Sequence, residues 1–391
     1  MQTDFQPAEF AAELRDWFRR SVRDGGQPPL PFESLALRLF GLQFTRNAAY
    51  RRLCEARHAT PDRIRLWQDI PAAPTVAFKE LEITSLTPGE RAAVFHSSGT
   101  ATQKPSRHFH SHESLALYEV SLAAWFQPHV LPGWFERQSF VDFLALTPPP
   151  AEAPNSSLVH MFATVQREFG HGEPVFTGRR GGDGSWVLDF ERTLDRLHQS
   201  EISGQPLVIL GTAFSFVHLT DELVRRGLRA RLPAGSRAME TGGYKGRSRE
   251  LPRAELHEAI TRNLGIPASH LVCEYGMSEL SSQAYTSSLT PIGNSQSAIS
   301  NSRSLVLRFP PWCRAVVVSP ETGREVSEGE TGLLRVFDLA NVWSVMAIQA
   351  EDLAVRGGGG FELIGRATAA EPRGCSLMAA AAVPVPCSLP Q

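Results

Sequence analysis

The chain has 391 residues, 42% hydrophobic and 20% charged, with a formal net charge of -2. That length exceeds one ordinary core, so a large domain with an appendage, or two domains, is expected. Near-neutral charge gives no bulk attraction to nucleic acid or anionic membrane, and no apolar run of about 18 residues is present to span a bilayer.

The first residues, MQTDFQPAEF, lack the basic start and apolar run of a secretion signal. Phe10, Leu14, Trp17 and Phe18 then share one face of a helix over residues 5–23, closed by Gly25-Gly26. A second helical stretch runs from Phe32 to Ala56. Prolines and glycine break up Pro71 to Pro88, and Ser111 starts a helix with Leu115, Tyr118, Leu122 and Phe126 on one face. Strands are expected at Phe140–Leu146, Leu207–Gly211, Arg237–Glu240 and His270–Glu274, with helices at Phe216–Arg226 and Ala254–Leu264 between them. Such alternation predicts largely parallel sheets covered on both faces, an α/β fold. Ala315–Ser319 and Gly332–Phe337 predict a hairpin, and Gly357–Gly360 a hairpin turn. The tail from Ala379 reads as peripheral.

Five cysteines, Cys54, Cys273, Cys313, Cys375 and Cys387, are odd in number and carry no CxxC spacing, which argues against a disulfide framework or a zinc site and for a reducing cytoplasm. Cys273 is expected to point into an apolar strand interior.

Two segments carry the chemistry. VFHSSGTATQKPS at 94–106 offers the hydroxyls of Ser97, Ser98 and Thr100, the open backbone of Gly99 and the charge of Lys104, a composition suited to phosphate oxygens. CEYGMSELSSQAY at 273–285 pairs an exposed tyrosine, Tyr275, with a carboxylate, Glu279. A carboxylate facing a triphosphate needs a bridging cation, which implies magnesium. Gly242, Gly243 and Tyr244 end a strand where a flat base can approach. His96, His108, His110 and His112 crowd the first segment without a metal-site pattern and read as solvated or near phosphate.

On these motifs the chain resembles the adenylate-forming superfamily, and within it the acyl-protein synthetases of the LuxE type. The resemblance implies a large N-domain with several mixed or parallel sheets over residues 1–366, the small C-terminal domain being truncated or absent, with 367–391 as a short C-terminal segment. It implies ATP and magnesium as cofactors, base contacts from Gly242, Gly243, Tyr244, Tyr275, Gly276 and Met277, and an α-phosphate contact from Ser278. It further implies metal binding by Glu279 and ribose contacts from Asp352 and Arg366. The superfamily's Pro-Lys appears here in the order Lys104-Pro105, and no lysine follows Arg366 to assist adenylation. RGCSL at 373–377 supplies Cys375, which the resemblance makes the acyl acceptor, with Arg373 able to lower the thiol pKa.

The expected reaction is ATP-dependent activation of a fatty or aryl acid and transfer to a thiol on this chain or on a reductase or carrier protein. An acyl-CoA ligase similar to phenylacetate-CoA ligase, with its last domain abbreviated, and an inactive scaffold remain the alternatives.

Overall fold

The computed structural model describes residues 6–24, 27–97, 104–133, 141–182, 184–242, 251–286 and 305–367. Its centre is an eleven-stranded mixed sheet. In chain order the strands of the molecule are β1 (Ala73–Pro74), β2 (Ala93–His96), β3 (Arg107–His110), β4 (Asp142–Ala145), β5 (Gly178–Arg180), β6 (Trp186–Leu188), β7 (Leu207–Thr212) and β8 (Arg237–Thr241). They continue with β9 (Leu271–Tyr275), β10 (Ala284–Thr286), β11 (Leu307–Arg308), β12 (Cys313–Val318), β13 (Thr331–Asp338), β14 (Ala347–Gly357) and β15 (Gly360–Arg366).

The large sheet runs β12-β13-β14-β15-β11-β10-β9-β8-β7-β4, with β1 pairing beside β14. Only β4, β7, β8 and β9 form a continuous parallel block. From β9 to β12 every pairing on the path is antiparallel. The expectation of largely parallel sheets therefore holds for one half. The parallel half is built by helices Ala213–Arg225 and Arg253–Leu264, which return the chain between successive strands as parallel pairing requires. Hairpins build much of the other half. One is the predicted β12–β13 pair, and another turns at Gly358 and Gly359, both in the left-handed region that glycine adopts freely. β2 and β3 form a separate two-stranded sheet, as do β5 and β6.

Helix Pro7–Asp24 buries the anticipated stripe of Phe10, Leu14, Trp17 and Phe18. Phe18 stacks on Trp312 at 4.0 Å, and the Trp312 indole N–H donates to Ser121 Oγ at 2.9 Å. Full burial of such side chains contributes about 1.5–3 kcal/mol each, which fixes this helix against the sheet. The predicted helix over Phe32–Ala56 is two, Phe32–Arg46 and Ala48–Ala56. Asn47 lies between them with extended φ and ψ, and its side chain accepts from the Tyr50 N–H. An asparagine that caps the second helix ends the first. Ser111 caps helix His112–Val130 as expected. Among the described residues no helix is long and apolar enough to cross a membrane.

Candidate active site

Strand β9 delivers the second chemical segment. Its residues are all buried, and the chain then turns through Gly276, Met277, Ser278 and Glu279. The turn is braced from the antiparallel half. Asp338, at the end of β13, accepts from the Ser281 N–H (2.9 Å), the Ser282 hydroxyl (2.8 Å) and the Ala340 N–H (3.0 Å). Asn341 donates to the Glu279 carbonyl at 2.8 Å and accepts from the Ser281 hydroxyl at 2.7 Å. Burial pushes the Asp338 carboxyl up to about 6, against those donors, which pull it down.

The first segment approaches this turn from the other side. β2 and β3 pair Phe95 with His108 and His96 with Arg107, so the hairpin's neck falls at Ser97 and Ser106. There the Ser106 N–H donates to Ser97 Oγ at 2.9 Å. Ser106 Oγ lies 3.5 Å from Ser278 Oγ, and His108 Nδ1 donates to the Ser278 carbonyl at 2.9 Å. The hairpin of the first segment is thus docked on the Tyr-Gly-Met-Ser-Glu turn through Ser106, which the sequence reading gave no role, and His108, which it read as solvated or near phosphate. Ser98, Gly99 and Thr100 lie outside the described residues. Lys104 is exposed, with its ammonium 3.4 Å from Glu80, so its described contact is with a surface carboxylate and not with the turn.

His108 and His110 are buried, so of the two expectations, solvated or near phosphate, the first fails for them. Their rings lie 4.3 Å apart, and burial lowers the His108 pKa to about 4 and holds that of His110 well below its ordinary value. Both are neutral near pH 7. His112 is exposed and His96 half-buried.

Past the turn lies a second polar group. The Tyr275 hydroxyl donates to Asp352 Oδ2 at 2.8 Å, and Arg366 Nε donates to Asp352 Oδ1 at 3.1 Å. Asp352 and Arg366 face each other across β14 and β15, so the pair is fixed by strand register. Tyr275 is not the exposed residue anticipated. It is 8% exposed and meets Phe361 edge-on at 5.5 Å and Phe309 at 6.2 Å. A Cβ at Gly276 would lie 2.5 Å from Glu274 Oε1, so a larger residue there would make the Glu274 side chain shift. Glu274 is itself held by the Thr241 hydroxyl, and burial raises its pKa to about 7. Gly242 closes β8 in the left-handed region at φ 70. Gly243, Tyr244 and Cys375 lie outside the described residues.

Ser97, Tyr275, Gly276, Met277, Ser278, Glu279, Asp352 and Arg366 therefore form one connected polar rim. A family model described as "Acyl-protein synthetase, LuxE" matches residues 30–383.

The chain belongs to the LuxE acyl-protein synthetase family.

It is an AMP-forming ligase on that ground. Two relatives are named long-chain-fatty-acid--luciferin-component ligase. The one from Aliivibrio fischeri is 22% identical over 83% of this chain and 78% of its own. The one from Vibrio harveyi is 21% identical over 85% and 82%. Among solved structures, an open conformation of 2-hydroxyisobutyryl-CoA ligase with 2-HIB-AMP and CoA superposes with a TM-score of 0.61 at 13% identity, covering 85% of this chain and 68% of that one. That likeness carries the adenylate-forming fold of this LuxE family member, which is the architecture expected from its motifs.

Proposed function

We propose that this LuxE family ligase activates a fatty acid with ATP as the acyl adenylate and passes the acyl group to a protein thiol, that of Cys375. The observation that carries the reading is the docking of the Ser97–Ser106 neck and His108 on Ser278, one turn away from Tyr275, Asp352 and Arg366. It supports a reading in which the Ser97 end of the first segment faces phosphates, Glu279 a metal ion and Asp352 the ribose. The long-chain fatty acid named for the relatives gives the substrate class. Residues 1–366 are the adenylating unit, and 367–391 carry the acceptor.

In this scheme Ser97, Ser98, Gly99, Thr100 and Lys104 hold phosphates. Ser278 orients the α-phosphate, Gly242, Gly243, Tyr244 and Tyr275 bound the base, and Asp352 and Arg366 take the ribose. Glu279 suits magnesium: its buried carboxylate accepts only from the adjacent Ser278 hydroxyl, at 3.2 Å, and has no ion-pair partner among the described residues. Oxygen ligands are what this ion takes, and it would neutralise phosphate charge beside the turn. The acid's carboxylate is already nucleophilic, so the protein supplies alignment and charge compensation rather than a base. A carboxylate oxygen bonds to the α-phosphorus as pyrophosphate leaves. The Cys375 thiolate then bonds to the acyl carbon as AMP leaves, giving a thioester.

Intact-mass spectrometry of the wild type and Cys375→Ala with ATP, magnesium and a panel of fatty and aryl acids tests this. The expected result is an ATP-dependent, hydroxylamine-labile adduct from a fatty acid that disappears in the variant. Acyl-CoA formed only on addition of CoA, with no adduct, would replace thiol transfer by CoA ligation. Absence of ATP–pyrophosphate exchange with every acid would leave the scaffold reading.

A further inference from the structure

Outside the rim, on strands β8 and β9, the molecule gathers a sulfur, a nitrogen and an oxygen. Glu240 and Cys273 are direct register partners on these parallel strands, so their side chains leave the same face of the sheet. Helix Arg253–Leu264 crosses that face and presents His257. Cys273 Sγ lies 3.6 Å from His257 Nε2, and Glu240 Oε1 lies 3.5 Å from the same nitrogen. All three atoms fall within 4.8 Å of one another. Glu240 is 4% exposed and Cys273 1%, while His257 is half-buried. Glu240 Oε1 is buried and has no well-directed hydrogen-bond donor among the described residues, its charge being met by the Arg253 guanidinium.

A Cys-His-Glu set has two chemical uses, and the geometry separates them. In a nucleophilic relay the carboxylate holds one imidazole nitrogen and the thiol the other. Here both face Nε2, so the three groups converge on a point instead of forming a chain. Zinc bonds of about 2.0–2.3 Å in tetrahedral array set ligand atoms about 3.4–3.6 Å apart. The spacings 3.5 and 3.6 Å match those edges.

We propose that Glu240, His257 and Cys273 form a zinc site that staples helix Arg253–Leu264 to β8 and β9. Thiolate, imidazole and carboxylate are the donors zinc takes, and the fourth position is left to water on the His257 side. Arg253 Nε, 3.3 Å from Glu240 Oε1, occupies part of this charge well. Its side chain is 33% exposed and has solvent to swing into when the ion binds. Zinc takes the thiolate, so the Cys273 thiol proton leaves to solvent as the Zn–S bond forms. The cluster was invisible to cysteine spacing, because its ligands come from three elements and only one is a cysteine.

The test uses the full chain, stripped with chelator, in a Cys375→Ala, Cys387→Ala background so that tail thiols do not bind metal. Equilibrium titration with Zn2+ should reach one ion per chain and raise the thermal midpoint. Co2+ should give a thiolate-to-cobalt charge-transfer band. Cys273→Ser should abolish that band, and His257→Gln should weaken Zn2+ binding beyond the roughly 10–100-fold typical of an outer-shell change. His257 is half-buried on a helix, so its variant decides the matter if Cys273→Ser does not fold. No stoichiometric Zn2+, or binding unchanged in His257→Gln, overturns the site.

Discussion

Asp338 and Asp352 sit on neighbouring antiparallel strands, both with their carboxylates turned toward the β9 turn, yet they are held in opposite ways. Asp338 is fully buried, and its three bonds come from two backbone N–H groups and a serine hydroxyl of the turn and of its own loop. Asp352 is bound by a tyrosine hydroxyl and by an arginine whose side chain is 73% exposed. One carboxylate is consumed by the backbone, and the other opens toward water through its cation. Two residues of one type thus differ by position: Asp338 ends β13 and is held mainly by backbone donors, whereas Asp352 lies within β14 and is held by side chains.

Removing the brace should have the largest effect on folding. Asp338→Ala strands three buried donors, each costing about 1–3 kcal/mol, so urea unfolding should show a loss of at least about 3 kcal/mol. A loss below about 1 kcal/mol would mean that the turn holds itself, and the contrast with Asp352 would collapse.

Glu274 lies between the two cases, buried like Asp338 but with one described donor, Thr241. Its folded pKa of about 7 lies above the unfolded value, so its contribution is present below about pH 4.5 and lost as pH rises through 7. His108 acts with the opposite sign: held near 4, it contributes above about pH 6.5 and loses that contribution as pH falls toward 4. Wild-type stability should therefore be nearly flat between pH 5 and 7. Glu274→Gln leaves the histidine slope alone, and the variant should gain on wild type by up to about 3 kcal/mol between pH 5 and 8. Parallel curves would show that Glu274 is solvated in the folded chain.

The smallest change in stability belongs to Asp352→Asn, which keeps an acceptor for Tyr275 and should unfold within about 1 kcal/mol of wild type. ATP–pyrophosphate exchange should nonetheless fall on the order of 100-fold, roughly 2.7 kcal/mol of transition-state stabilisation. The reverse pattern, with activity kept and stability lost, would make Asp352 a second brace.

Much of this was legible in the chain because local signals agreed. The apolar runs of β7, β8 and β9 with intervening helices declared the parallel half, and Ser111 declared its helix. The antiparallel half was harder to read where β11 joins it, because Leu307 pairs with Phe361, far along the chain. The burial of Tyr275 depends on Phe309 and Phe361, which no window around residue 275 contains. His108 and His110 alternate with Phe109, and alternation normally puts one set in water; all three are buried here. Asp338 left one trace that was not used: an acidic residue ending the run LLRVF must find donors nearby or ionise at great cost.

The hydrogen bond between Tyr275 and Asp352 has a thermodynamic consequence for any sugar that visits the rim. On the proposal that Asp352 takes the ribose, the Tyr275 phenol donates to an oxygen that a ribose hydroxyl would use, so entry is an exchange of one hydroxyl for another. A visitor lacking that hydroxyl would break the bond and leave Asp352 short of a donor, a penalty of about 1–3 kcal/mol that nothing in the visitor repays. On that proposal Tyr275 is a built-in competitor, and a sugar without the hydroxyl gains nothing in return for displacing it.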